Sequence, residues 1–259
     1  MNRIKGKTVL ITGASSGIGK ACAEQCAGCQ ANLILAARRF DRLQTLKNDL
    51  EKMHGIVVFI HRLDVRVRQD VENFVSQLAA RDICPDILIN NAGLSAGLDK
   101  LHEGNFDDWE RMIDTNVKGL LYVSRAVIPL MIKAGKGHVV NIGSIAGHQV
   151  YPCGNVYNAT KFAVRALTEA MNIDLSGTDI RVSCVSPGAA NTEFSTVRFH
   201  GDTKKADMIY TGYKPLSADD IADAVLYILN APEHVNIQNI LITPTAQRNI
   251  YCVDRRKPD

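Results

Sequence analysis

Short, almost wholly apolar runs recur along the chain, and each is followed by a longer stretch in which apolar residues return every three or four positions. Runs with no polar alternation read as strands buried on both faces of a parallel sheet, and the stretches between them as amphipathic helices that cover it. The pattern predicts strands at KTVLIT, ANLILAA, GIVVFIHRL, DILIN, GHVVNIG, IRVSCVS and NILIT, and helices over residues 17–28, 40–53, 68–80, 107–133, 155–176 and 217–230. With no low-complexity linker and no repeat, this alternation predicts one doubly wound α/β domain over residues 1–259, a seven-stranded parallel sheet with helices on both faces. The long irregular segment, 188–216, sits between a strand and a helix, where a loop of that length is expected to carry function.

Composition changes this picture little. The chain is 46% hydrophobic and 22% charged, an ordinary globular balance, and a net charge of +3 argues against nucleic acid or an anionic membrane as the main partner. The basic cluster Arg255-Arg256-Lys257 reads as a solvated tail. The start, MNRIKGKTVLITG, lacks a signal-peptide pattern, and no apolar run approaches the roughly 18 residues of a membrane span. Seven cysteines without a secretory signal imply reduced thiols and a cytoplasmic setting. Cys22, Cys26 and Cys29 match a C-x3-C-x2-C cluster spacing, but in GIGKACAEQCAG they form one small-residue stripe of a helix, so packing is expected there and no metal.

Ligands of a doubly wound sheet bind beyond the carboxyl ends of the strands. The conspicuous glycine and polar residues fall there: TGASSGIG after the first strand, then ARR, DV, NNAG, GS and SPG. In TGASSGIG, Gly13, Gly17 and Gly19 bracket Ser15, Ser16 and Ile18 between a strand and a helix, a place where backbone N–H groups meet a pyrophosphate. Lys20 follows without the G-K-[ST] order of a nucleotide triphosphatase. The second strand ends Ala37-Arg38-Arg39 where a carboxylate would hold a ribose 2′-OH, which predicts a 2′-phosphate and hence NADP. Tyr157 and Lys161 lie one helical turn apart. Alone they read first as surface packing; as a functional pair, the ammonium would favour ionisation of a phenol whose pKa is otherwise about 10.

TGASSGIG, NNAG, Asn116, Ser144, Tyr157-x3-Lys161 and the P-G-x3-T run from Pro187 through Gly188 to Thr192 resemble, in order and spacing, the short-chain dehydrogenases/reductases. The resemblance implies a Rossmann fold and a tetrad of Asn116, Ser144, Tyr157 and Lys161. In it Ser144 binds the substrate oxygen, Tyr157 exchanges a proton with it, Lys161 lowers the phenol pKa and holds the nicotinamide ribose, and Asn116 holds a water. It further implies Asp64, Val65 and Asn91 beside the adenosine, Pro187, Gly188 and Thr192 at the nicotinamide and phosphates, and a homotetramer joined through the helices of 107–133 and 155–176. The stretches TEFSTVRFHGD and GSIAGHQVYPCGNVYNATKFAV are similar to the NADP-dependent 3-hydroxy acid dehydrogenases, which act on serine, L-allo-threonine or malonic semialdehyde. A carboxylate substrate needs a cation, and Arg198 and His148 are the candidates, Arg198 unless it pairs with Glu193 or Asp202. A general carbonyl reductase of neutral ketones, sugars or acyl carriers, and a dinucleotide sensor without turnover, stay open at this point. So does the tail, residues 246–259, which either reaches a neighbouring subunit or frays.

Overall fold

The seven strands form one parallel sheet, and its strand order reverses once. In the computed structural model, which describes residues 2–255, the strands are Thr8–Thr12 (β1), Asn32–Ala37 (β2), Val58–Arg62 (β3), Ile87–Asn90 (β4), Gly137–Ile142 (β5), Ile180–Pro187 (β6) and Asn239–Ile242 (β7). Their order is β3-β2-β1-β4-β5-β6-β7. β1 pairs with β2 on one side (Val9 with Leu33) and β4 on the other (Val9 with Ile87). The connections leaving β1 and β4 therefore diverge to opposite faces, and a crevice opens beyond their carboxyl ends.

Alternate residues of each strand feed two cores. Val9, Ile11, Leu33 and Leu35 pack under helices Gly17–Gly28 (α1) and Phe40–His54 (α2) on one face. Leu10, Ile34 and Leu88 pack on the other face under Arg68–Ala79 (α3). Phe106–Ile113 (α4) packs Met112 into a smaller cluster with Leu94 and Tyr157, and Leu120–Ala134 (α5) with Asn155–Asp174 (α6) completes the face. Helices cover both faces, so strands without polar alternation are the ones that fit, each fully buried aliphatic side chain contributing about 2 kcal/mol. The α1 stripe is part of this packing: Cys22 and Cys26 are buried with Ala23 and Ala27, and burial pushes the Cys22 thiol up to about 12.

Two departures from the sequence reading bear on the site. The helix expected over 107–133 contains a π-helical turn, Asp114–Gly119, between α4 and α5. The loop 188–216 is not wholly irregular: it carries two six-residue helices, Glu193–Arg198 (α7) and Thr203–Met208 (α8). Each is started by a side chain, Thr192 accepting from Phe194 N and Asp202 from Lys205 N. Under two turns of helix is too short to show a hydrophobic period, and capping alone does not announce one. A last helix, Ala218–Leu229 (α9), begins with a capping box between Ser217 and Asp220.

The loop is closed at its base by Asn191 N donating to Leu216 O (2.8 Å) and Leu216 N to Ala189 O (3.0 Å). The chain after β7 returns over it. Gln247 Oε1 accepts from Ala189 N (2.8 Å), and Arg255 donates to the carbonyls of Ile209 and Thr211 while lying over the Tyr213 ring. Through residue 255 the tail is thus packed on the loop of its own chain, and Arg255 is engaged rather than merely solvated; Arg256 and Lys257 lie outside the described residues. Among those residues no helix is long and apolar enough to cross a membrane.

Candidate active site

A cleft of about 470 Å³ runs along the carboxyl ends of β1, β2, β4, β5 and β6 and under the 188–216 loop. The glycine turn forms one wall. Gly13 and Gly17 both have φ in the left-handed region, +66° and +52°, and a Cβ at Gly13 would lie 2.9 Å from the Cα of Ala92. Asn91 holds the turn from below, its Nδ2 donating to Thr12 O (2.9 Å) and Gly13 O (3.2 Å); a Cβ at Gly19 would collide with that amide. Asn91 reaches the cleft wall, but as the buttress of the turn. No side chain caps the first turn of α1, so its N–H groups are left for a ligand.

Arg38 and Arg39 follow β2 into the cleft. Arg39 spans the turn, with Nε on Ser15 Oγ (3.2 Å) and Nη2 on Ser16 Oγ (2.5 Å), and its Nη1 meets Glu193 Oε2 (2.8 Å). Asp64 is gripped by the Arg66 fork, whose hydrogen bonds hold its carboxyl below the usual range; beside it Val65 lines the cleft. Helix N–H groups, two serine hydroxyls and two guanidiniums make a donor set that fits a dinucleotide phosphate backbone with a further phosphate on the ribose, and the end of β2 itself, Ala37-Arg38-Arg39, carries no carboxylate.

At the other end of the cleft α6 supplies Tyr157 and, one turn on, Lys161, both under a tenth exposed. Ser144, in extended backbone just past β5, accepts from Ala146 N (3.1 Å), donates to Pro187 O (3.5 Å) and lines the cleft beside Tyr157. Lys161 Nζ donates to Ile142 O (2.9 Å) and stands 6.0 Å from the centre of the Tyr157 ring. The π-turn presents Asn116 behind the wall: Oδ1 accepts from Leu94 N, while Nδ2 donates to Leu94 O (2.8 Å) and Thr160 Oγ1 (3.0 Å). Asn116 thereby ties the segment after β4 to α6, with Gly93 between it and Lys161. Pro187, Gly188 and Thr192 form the wall beyond β6.

Electrostatics departs from the expected role of the lysine. Burial pushes Tyr157 up to about 12, the Tyr151 hydroxyl adds to this, and the opposing influences are Arg198 and the Ser144 hydroxyl rather than Lys161. Burial likewise brings Lys161 down to about 8. In the protein alone the tyrosine is a firmly protonated donor and the lysine a cation held at a cost.

The two proposed anion-binding residues separate. Arg198, on α7, points into the cleft: Nε donates to Ser95 Oγ (3.0 Å), Nη2 to Tyr151 OH (2.8 Å), and its Cζ lies 5.3 Å from the Tyr157 ring centre and 5.1 Å from that of Phe194. It pairs with neither Glu193 nor Asp202. His148 is not brought to the cleft; the turn Ile145–Gly147 carries it past, and its ring meets Ser186 Oγ (3.2 Å) and Arg165 Nη1 (3.4 Å). Sequence reading missed Ser95, Tyr151 and Phe194 around Arg198, and Gln247 beneath Gly188. Only Tyr151, an aromatic between Ser144 and Tyr157, carried any local signal.

The profile of the family described as "short chain dehydrogenase" matches residues 7–202. The chain is 42% identical over 258 residues, 99% of its length and 100% of the relative's, to the NADP-dependent 3-hydroxy acid dehydrogenase of Schizosaccharomyces pombe. It is 44% identical over 242 residues, 92% of its length and 95% of the relative's, to the NADP-dependent 3-hydroxy acid dehydrogenase YdfG of Salmonella typhi. Its fold is similar to the closed form of a serine dehydrogenase complexed with NADP+, with a TM-score of 0.89 at 42% identity, covering 93% of this chain and 96% of that one.

Proposed function

The chain belongs to the short-chain dehydrogenase family, and we propose that it transfers a hydride between NADP(H) and the hydroxyl or carbonyl carbon of a short 3-hydroxy or 3-oxo acid, of the serine, L-allo-threonine and 3-hydroxypropionate type. The observation that carries the substrate class is the Arg198 guanidinium, turned into the cleft beside Tyr157 with no carboxylate partner among the described residues. A half-buried cation next to the proton donor is placed to receive an anion, and a substrate carboxylate two carbons from the reacting centre is such an anion.

Bound NADP(H) supplies or accepts the hydride. Ser144 holds the substrate oxygen, and Tyr157 gives its proton to a forming alkoxide or takes one from an alcohol. Lys161 carries positive charge to the nicotinamide ribose, where it is better solvated than by the single carbonyl of Ile142. Asn116 keeps the Leu94 segment against α6 so that Tyr157 and Lys161 stay aimed. Arg38 and Arg39 receive the 2′-phosphate, and the loop 188–216 is the substrate loop, closing Arg198 onto the acid and excluding water.

Residues 1–259 act as one catalytic domain, working as a homotetramer in the cytoplasm. Exposed apolar side chains on the two long helical stretches, Phe106, Ile132, Phe162 and Ile173, support the first, and seven free thiols the second. Steady-state kinetics on serine, L-allo-threonine and 3-hydroxypropionate, set against matched alcohols without the carboxylate, test the reading. Acids are preferred by the wild type, and Arg198→Ala erases that preference more than it slows the neutral alcohols. Equal handling of both by the wild type points to a general carbonyl reductase instead.

A further inference from the structure

Glu193 opens α7 and so belongs by position to the substrate loop, yet its carboxylate faces the coenzyme end of the cleft. One oxygen accepts from Arg39 Nη1 (2.8 Å) and the other from Arg42 Nη1 (2.6 Å). Arg39 spends its other two nitrogens on Ser15 and Ser16, so every nitrogen of its fork is engaged by the protein itself. Although burial raises the Glu193 pKa, hydrogen bonds from Arg42 and Arg39 outweigh it and bring the acid to about 2, so it is an anion at any working pH.

We infer that Glu193 is a specificity-determining residue, an internal competitor that occupies Arg39 and Arg42 and must yield them when a ribose 2′-phosphate arrives. This rests on the reading of Arg39 as a 2′-phosphate ligand. A phosphate monoester brings up to two negative charges toward a carboxylate already sharing the same guanidinium, so the two anions exclude each other from it. The 2′-hydroxyl of NAD is neutral and can donate to the carboxylate where it stands. Glu193 therefore lowers affinity for NADP, leaves that for NAD nearly untouched, and narrows the margin between them.

The test is calorimetric titration of the full-length protein with NADP+, NAD+, 2′,5′-ADP and 5′-AMP, for wild type and Glu193→Gln, and for both again in an Arg39→Ala, Arg42→Ala background. With the carboxylate gone, NADP+ and 2′,5′-ADP bind roughly fivefold tighter or better, the scale of exposed ion pairs relieved. NAD+ and 5′-AMP move by less than about twofold, and the gain disappears when the arginines are absent. Weaker or unchanged 2′,5′-ADP binding in Glu193→Gln overturns the inference, since Glu193 would then orient the arginines rather than compete for them; so does a gain that persists without them. A wild type that binds 2′,5′-ADP no better than 5′-AMP sinks the coenzyme assignment itself, an outcome read without any variant.

Discussion

The ammonium of Lys161 stands 2.9 Å from the backbone carbonyl of Ile142, its one hydrogen-bond acceptor among the described residues, in a site where the side chain is 7% exposed. Burial moves its pKa from 10.5 to about 8, a cost to the folded state of about 3 kcal/mol while the lysine is charged. Lys161→Met should abolish turnover yet stabilise the coenzyme-free protein at neutral pH by about 2 kcal/mol, the carbonyl it orphans taking back the remainder. The sign with pH follows from the depressed pKa of a cation. Below about 8 the lysine is charged in folded and unfolded chains and the cost is complete; between about 8 and 10.5 the folded chain releases its proton first, and the wild type gains stability as pH rises. Urea melts at pH 7 and pH 10 check this: the advantage of the variant is large at the lower pH and shrinks at the higher.

Tyr157→Phe should leave folding and NADP(H) binding nearly intact and cut turnover on the order of 10²-fold or more, the share of a positioned proton donor. Because burial holds the Tyr157 phenol up at about 12, the difference absorption between coenzyme-free wild type and this variant shows no phenolate at pH 10. A phenolate signal there, or near-normal activity in the variant, removes Tyr157 from the proton-donor role.

Replacing Arg38 and Arg39 by neutral residues should weaken NADP binding by about tenfold or more through lost charge-assisted contacts, with a much smaller effect on NAD. Adding Ala37→Asp turns preference toward NAD. Titration with both coenzymes decides it; equal losses for the two would mean that the arginines only shape the glycine turn through Ser15 and Ser16.

Gln247 is buried, and its Oε1 holds Ala189 N at the foot of the 188–216 loop. Gln247→Ala leaves that N–H unpaired and should cost about 1–3 kcal/mol in thermal or urea melts. It should also raise KM for the acid while leaving the dissociation constant of 2′,5′-ADP unchanged, since the adenosine end of the cleft does not depend on this hinge.

The sheet was legible to within a residue or two at most strand ends because buried parallel strands leave an unambiguous mark, and the Tyr157–Lys161 pair because helical periodicity puts both on one face. Arg198 was legible as a candidate cation, with Glu193 and Asp202 as competing partners close by in sequence; Ser95 and Tyr151, which hold it instead, come from segments 103 and 47 residues away and have no common period with it. His148 misled for the same reason in reverse. Nearness in sequence to Ser144 says nothing about which way a short turn sends the next side chain, and here it goes to Ser186. The π-turn was illegible because DTNVKG, a run of mostly weak helix formers, signals a weak point in a helix without saying that a turn widens there; what accompanies the widening is the set of contacts from Asn116 to Leu94 and Thr160, distant in sequence.

That turn also carries one residue more than the helices on either side of it need. A π-turn takes that extra residue into about one revolution, so α4 and α5 keep their faces in phase across it. Taking one residue out of Asp114–Gly119 would let α4 and α5 run on as a single regular helix, with Met112 still facing the pocket it shares with Leu94 and Tyr157. What would go is the outward step that sets Asn116 between the Leu94 segment and Thr160 of α6. The extra residue is therefore a slack link, serving reach rather than direction: point substitutions at Asp114 or Lys118 leave it in place, whereas a one-residue deletion unties the wall after β4 from the helix that carries Tyr157 and Lys161.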